Sequence, residues 1–156
     1  MLIKGLVDED FVNYKLPSMF IIMPNCSFKC DKECGKNICQ NSALSKEPVV
    51  DINIKELLNR YDSNDISKAV VLGGLEPFDS PTDLLDFMLL FRERSNDPIV
   101  IYTGYTEEEI KEKFKWAFDI DNVTIKFGRF IPDQEKHFDS VLGVYLSSPN
   151  QYAKHF

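Results

Sequence analysis

The sequence has only two histidines and one tryptophan, and none of its four cysteines lies beyond residue 39. His137 and His155 sit late in the chain at no ligand spacing to the cysteines, so both are expected at the surface, and Trp116 is expected on the core face of a helix. Basic charge is also scarce, with 18 Lys and Arg against 25 Asp and Glu and a net charge of -7. Clustered Lys and Arg are what a phosphate backbone requires, so nucleic acid is not an expected partner. No long apolar run is present; the stretch from Met19 to Pro24 is far too short to span a bilayer. The opening MLIKGLVDEDF sets three acidic residues where a signal peptide needs an apolar core, which points to a cytoplasmic protein. Repeats, linkers and low-complexity tracts are missing too, so residues 1–156 are expected to form a single domain.

What is present fits a folded domain. Hydrophobic residues make up 44%, with twelve Phe and six Tyr, which is enough for a real core. SMFIIMP reads as a buried strand between Pro17 and Pro24, KAVVLGG as a second and PIVIYTG as a third. NVTIKFG reads as a fourth, and VLGVYLSS offers a fifth. Helices fall between them. INIKELLNRY places Ile54, Leu57 and Leu58 at helical spacing. Ser80-Pro81-Thr82-Asp83 and Thr106-Glu107-Glu108-Glu109 both read as capping boxes that open helices. Strands alternating with helices imply an α/β fold with a mainly parallel sheet, whose ligands gather at the C-terminal strand ends. The unusual loops all follow strands: the cysteine segment the first, GGLEP the second and TGY the third.

The cysteines are spaced Cys26-x3-Cys30-x3-Cys34-x4-Cys39 within one polar segment read as a long loop. In a reducing compartment they are not expected to pair as disulfides. Thiolates ligate both iron–sulfur clusters and zinc, and spacing alone leaves the two open.

CSFKC followed by CQN resembles the signature loop of the radical-SAM superfamily, in which three cysteines follow the first barrel strand as Cys-x3-Cys-x2-Cys. Cys26 and Cys30 match the first pair, whereas Glu33 stands where the third cysteine belongs. The resemblance favours Cys39 as third ligand, because Ile38 before it supplies the apolar residue that packs near adenine and Gln40-Asn41 follows it; Cys34 remains the alternative. It further implies a [4Fe-4S] cluster whose open iron chelates S-adenosyl-L-methionine.

Gly73-Gly74-Leu75-Glu76-Pro77 resembles the family's Gly-Gly-Glu-Pro, with Leu75 interposed, and makes Gly73, Gly74 and Glu76 candidate cofactor contacts. Tyr102-Thr103-Gly104-Tyr105, Gly128-Arg129-Phe130 and Ser147-Ser148-Pro149-Asn150-Gln151 resemble, in that order, segments of the small activating proteins of anaerobic (class III) ribonucleotide reductase. Thr103 joins the candidate contacts on that basis. The resemblance implies a partial, open (β/α) barrel, with no side chain needed as acid or base. Its implied partners are a large glycyl-radical enzyme subunit and a one-electron donor such as flavodoxin or ferredoxin. Two alternatives share the cysteines: a radical-SAM enzyme acting on another peptide or small molecule, and a non-catalytic zinc-binding interaction module.

Overall fold

The computed structural model describes all 156 residues. Four parallel strands form its centre: β3 (Ser18–Ile22), β5 (Val70–Gly73), β6 (Ile99–Tyr102) and β7 (Val123–Phe127), side by side in that order. Two antiparallel strands complete a six-stranded sheet, β2 (Gly5–Asp10) beside β3 and β10 (Tyr152–His155) beside β7. The central strands are near-continuous apolar runs, VVLG and IVIY among them, as strands covered on both faces require. β2 instead reads GLVDED, and its charges suit an edge that must not pair further.

The remaining strands stand apart from this sheet. β1 (Leu2–Ile3) pairs with β4 (Val50–Asp51), and β8 (His137–Asp139) forms a hairpin with β9 (Val144–Leu146). The strand expected in VLGVYLSS therefore exists, but it belongs to that hairpin, and β10 takes the sheet edge.

Three helices connect the parallel strands: α2 (Ile54–Asp62), α3 (Pro81–Arg92) and α4 (Glu107–Lys113). Their buried residues, such as Leu57, Phe87 and Ile110, join one apolar cluster with Met19, Leu72 and Ile125 of the strands. All three thus cover the same face of the sheet. The other face meets loop and hairpin residues, including Tyr14, Leu142 and Leu146.

Helix starts follow local chemistry in two cases out of three. Asn53 accepts the Lys55 N–H at α2, and Thr106 with Glu109 forms a complete capping box at α4. At α3 Pro81 opens the helix as expected, but Ser80 makes no cap. Its hydroxyl accepts instead from Asn25 Nδ2 at 3.0 Å, and Asp83 accepts the Leu2 N–H at 2.9 Å. Long-range contacts have claimed both groups. His155 is exposed as expected, whereas His137 is half-buried, and Trp116 packs against the large core cluster from a single 3-10 turn.

Candidate metal centre

Because β3, β5 and β6 run parallel and adjacent, the loops leaving their C-terminal ends must lie side by side. Each is fastened to the next. The Glu76 N–H donates to the Asn25 carbonyl at 2.8 Å, and the Asp79 carboxylate accepts the Ser27 N–H. Asp79 also accepts the Tyr105 hydroxyl at 2.8 Å, so one side chain joins the cysteine segment to the TGY loop.

The cysteine segment is less irregular than its composition suggests. It contains a six-residue helix, α1 (Lys29–Cys34), entered through Phe28 at φ 53 and left through Gly35 at φ 66. A left-handed backbone suits glycine and strains an aromatic residue, so Phe28 is held there by its surroundings. Asp31 then closes the excursion that follows α1. Its Oδ1 accepts the N–H groups of Ile38 at 2.9 Å and Cys39 at 2.8 Å, which folds residues 35–38 outward and returns Cys39 beside the helix. Two ion pairs hold α1 against the rest of the fold: Lys29 with Glu109 at 3.3 Å and Glu33 with Arg129 at 2.6 Å.

A cavity of about 680 Å³ opens where the loops meet, and Cys26, Cys30 and Cys39 all line it. Cys34 does not; it is exposed and faces a neighbouring cleft beside Arg129. Gly74, Glu76 and Thr103 also line the cavity, whereas Ile38 and Gly73 are not among its walls. Gly73 lies buried behind the loop, where an added Cβ would sit 3.1 Å from Tyr102 Cβ. Gly74 has φ 76, and an added Cβ there would meet Ile22 Cγ2 at 2.8 Å, so the turn at the cavity wall requires glycine.

Each of the three cavity thiols is approached by a backbone N–H. Phe28 donates to Cys26 Sγ at 3.3 Å, and the amides of Phe130 and Asn41 serve Cys30 and Cys39. Burial opposes these donors and wins. It pushes the Cys26 thiol up to about 12, and it raises Cys30 and Cys39 as well. All three are therefore protonated at neutral pH, and a metal held by them would displace a proton from each. No three His, Cys, Asp or Glu side chains stand close enough together to hold one metal ion; the thiols border a space. Three thiols around a space, each met by an N–H donor, fit a cluster held by three cysteines, since such donors to sulfur are a regular part of cluster ligation.

The later motifs are joined to the same place. Glu76 Oε1 accepts the Thr103 hydroxyl at 2.6 Å and the Phe78 N–H at 3.2 Å, while Oε2 accepts the Gly104 N–H at 2.8 Å. Burial still raises this carboxyl to about 7 despite the three donors. Arg129 pairs through both terminal nitrogens with Glu109 at 2.8 Å and donates to the Gly104 carbonyl at 3.1 Å. It is no loose surface charge. Asn150 Nδ2 donates to the Arg129 carbonyl at 2.8 Å and Gln151 Nε2 reaches the Gly128 carbonyl at 3.4 Å, so SSPNQ clasps GRF.

Reasoning from sequence missed two residues here. Asp31 was invisible because its role depends on amides seven and eight residues away. Lys126 is buried on β7, lines the cavity and donates to the Gly128 carbonyl at 2.9 Å. A lone lysine inside an otherwise apolar strand, VTIKF, was the available signal.

No curated protein and no solved structure matches the chain. Residues 18–151 match the family model described as a 4Fe-4S single cluster domain, from the first residue of β3 to the last before β10. That span takes in the cysteine, GGLEP and TGY loops and most of the chain, and on it the protein belongs to the 4Fe-4S single cluster domain family.

Proposed function

We propose that this iron–sulfur protein is of the radical-SAM type, that its sheet is an open partial barrel, and that it reductively cleaves S-adenosylmethionine to install a glycyl radical on an anaerobic ribonucleotide reductase. One observation carries the reading: a single cavity is lined by Cys26, Cys30 and Cys39 together with Gly74, Glu76, Thr103 and Gly104. These are among the residues on which the resemblance rests, drawn from three separate strand ends; Ile38 and Gly73 lie outside the cavity wall.

Cys26, Cys30 and Cys39 would hold the cluster, leaving one iron for the ligand. When bound, the reduced cluster supplies the electron that breaks a carbon–sulfur bond of S-adenosylmethionine. The chain's own residues bind, orient and enclose. Gly74 gives the β5 loop its left-handed turn at the cavity wall, where a Cβ would strike Ile22. Glu76 and Thr103 brace the GGLEP and TGY loops against each other, so that wall is set before the ligand arrives. Val12 and Tyr145, exposed at 74% and 70%, also line the cavity, which therefore reaches the surface. A large glycyl-radical subunit is the partner that would cover that mouth, and flavodoxin or ferredoxin would deliver the electron.

The test is anaerobic reconstitution with iron and sulfide, followed by electron paramagnetic resonance of the reduced protein with and without S-adenosylmethionine. The expected result is a [4Fe-4S] signal that changes on adding the ligand, then a glycyl radical on the reductase subunit. A changed signal with no glycyl radical would redirect the proposal to another radical-SAM substrate. Protein that forms no cluster and instead retains zinc would replace it with a binding module.

A further inference from the structure

Lys126 is the one charged residue on β7, and 7% of it is exposed. Strand alternation explains where it points. Val123, Ile125 and Phe127 enter the helix-side core, so Thr124 and Lys126 take the opposite face, and Lys126 there reaches the cavity shared by the three thiols. An ammonium has three N–H donors. One is used, on the Gly128 carbonyl; no ion pair involves Lys126, although eight ion pairs form elsewhere in the molecule. Its charged and thiol neighbours from other elements are Glu76 on the β5 loop and Cys30 on α1. The Glu76 oxygens are already taken by the Thr103 hydroxyl and the Phe78 and Gly104 amides.

A buried cation without a counter-ion is costly, and folded proteins pair such charges or place them against a ligand. The cavity is where a counter-charge can enter. Thiolates bring negative charge there, and one-electron reduction of a cluster adds one more unit.

We propose that Lys126 is the counter-ion of the cavity's anionic occupant, the thiolate-held cluster, and that its charge raises the cluster's reduction potential. The inference rests on the iron–sulfur reading of Cys26, Cys30 and Cys39. It goes beyond that reading by assigning a residue on β7, outside all the motif loops. A fixed positive charge beside a desolvated cluster stabilises the reduced form more than the oxidised form, because the reduced form is the more negative.

The experiment compares wild type, Lys126→Met and Lys126→Arg after anaerobic reconstitution, with no other ligand added. Iron and sulfide content are measured first, and the potential is then followed by electron paramagnetic resonance during a reductive titration. Circular dichroism of the metal-free proteins checks folding. At equal iron content, Lys126→Met is expected at a lower potential, with Lys126→Arg near the wild type. A folded Lys126→Met that fails to take up iron while Lys126→Arg loads also supports the counter-ion role. Lys126→Met with the wild-type iron content and potential overturns the inference alone. So does an unchanged potential combined with weaker binding of added S-adenosylmethionine, which would make a ligand carboxylate the partner of the ammonium. Wild type that takes up no cluster overturns the iron–sulfur reading, and this inference with it.

Discussion

On one face of the central sheet, Met19, Ile21, Leu72, Ile101 and Phe127 pack with α2, α3 and α4 into a cluster of 23 buried apolar residues. On the other face the corresponding cluster has 7, and beside it stand Lys126, Glu76, Thr103 and three thiols around a cavity. The helix face satisfies the general requirement of a fold, the removal of apolar surface from water. The cavity face leaves a buried lysine outside any ion pair and raises the pKa of Glu76 and all three cavity cysteines through burial. Polar groups kept under such conditions at a strand-end cavity mark where binding takes place. Stability and function are thus separated across one sheet, and changes on the two faces should be separable too.

The largest expected effect is on the cavity face. Cys26→Ala, Cys30→Ala and Cys39→Ala should each lower bound iron at least about tenfold after reconstitution, since losing even an outer partner of a metal ligand costs about 10–100-fold. Cys34→Ala should load like wild type, since Cys34 is exposed and outside the cavity. Iron per chain and the electron paramagnetic resonance amplitude read the result. If Cys34→Ala loses the cluster and Cys39→Ala keeps it, the assignment of the third thiol is reversed.

The converse change is Phe91→Ala in α3. Phe91 is 1% exposed, stacks against Phe87 at 5.8 Å and meets Tyr61 edge-on at 5.0 Å. Its loss should cost about 3–5 kcal/mol in urea unfolding of the metal-free protein. Iron per folded chain should stay at the wild-type value. A Phe91→Ala protein that is folded but cannot load would show that the two faces are coupled.

Asp31→Ala probes the device that places Cys39. Losing a hydrogen bond to a half-exposed carboxylate is worth about 1 kcal/mol, or roughly fivefold in cluster retention. Iron loss to a chelator should quicken by that factor, and Asp31→Asn, which keeps an acceptor oxygen, should lie in between. Equal loss rates in all three proteins would reduce Asp31 to a local turn residue.

The same division explains what could be read from the sequence. β3, β5, β6 and β7 were legible because buried parallel strands are apolar runs whatever their neighbours, and the α4 capping box was legible because both its partners lie within four residues. The motif loops fell in the right order because parallel strands bring their C-terminal ends together. Illegible were the features made by distant partners. α1 depends on Arg129 and Glu109, which lie about a hundred positions or fewer along the chain and are brought in only by β7 and α4. Ser80 lost its cap to Asn25, and β10 is a strand only because β7 offers it an edge. Lys126 was hidden in plain view, since a strand pattern records that it is buried and not what it faces.

The smallest effects belong to the seam between the faces, where two carboxylates in the first turn of α4 serve different sides. Glu107 pairs with Lys111 at 2.7 Å and Lys154 at 2.5 Å, tying α4 to β10. Glu109 pairs with Arg129 and Lys29, tying α4 to the cysteine segment. Hydrogen bonds from these cations hold both carboxyls at about 2, against an ordinary 4.5. A depressed folded-state pKa stabilises fully above the ordinary value and loses that contribution as pH falls toward the folded one. The metal-free protein should therefore lose stability between about pH 4.5 and pH 2, and Glu107→Gln and Glu109→Gln should each flatten that slope. Because Lys111 and Lys154 are half-exposed, Glu107→Gln should cost only about 0.2–1 kcal/mol at pH 7, seen in urea unfolding. The two variants then part. Glu107→Gln should retain iron as wild type does, whereas Glu109→Gln loosens the hold on α1 and should lose iron faster to a chelator at pH 7. If Glu109→Gln keeps its iron equally long, α1 is positioned by the Glu33–Arg129 pair and the loop contacts around Asp31 and Asp79, and Glu109 transmits nothing to the cavity.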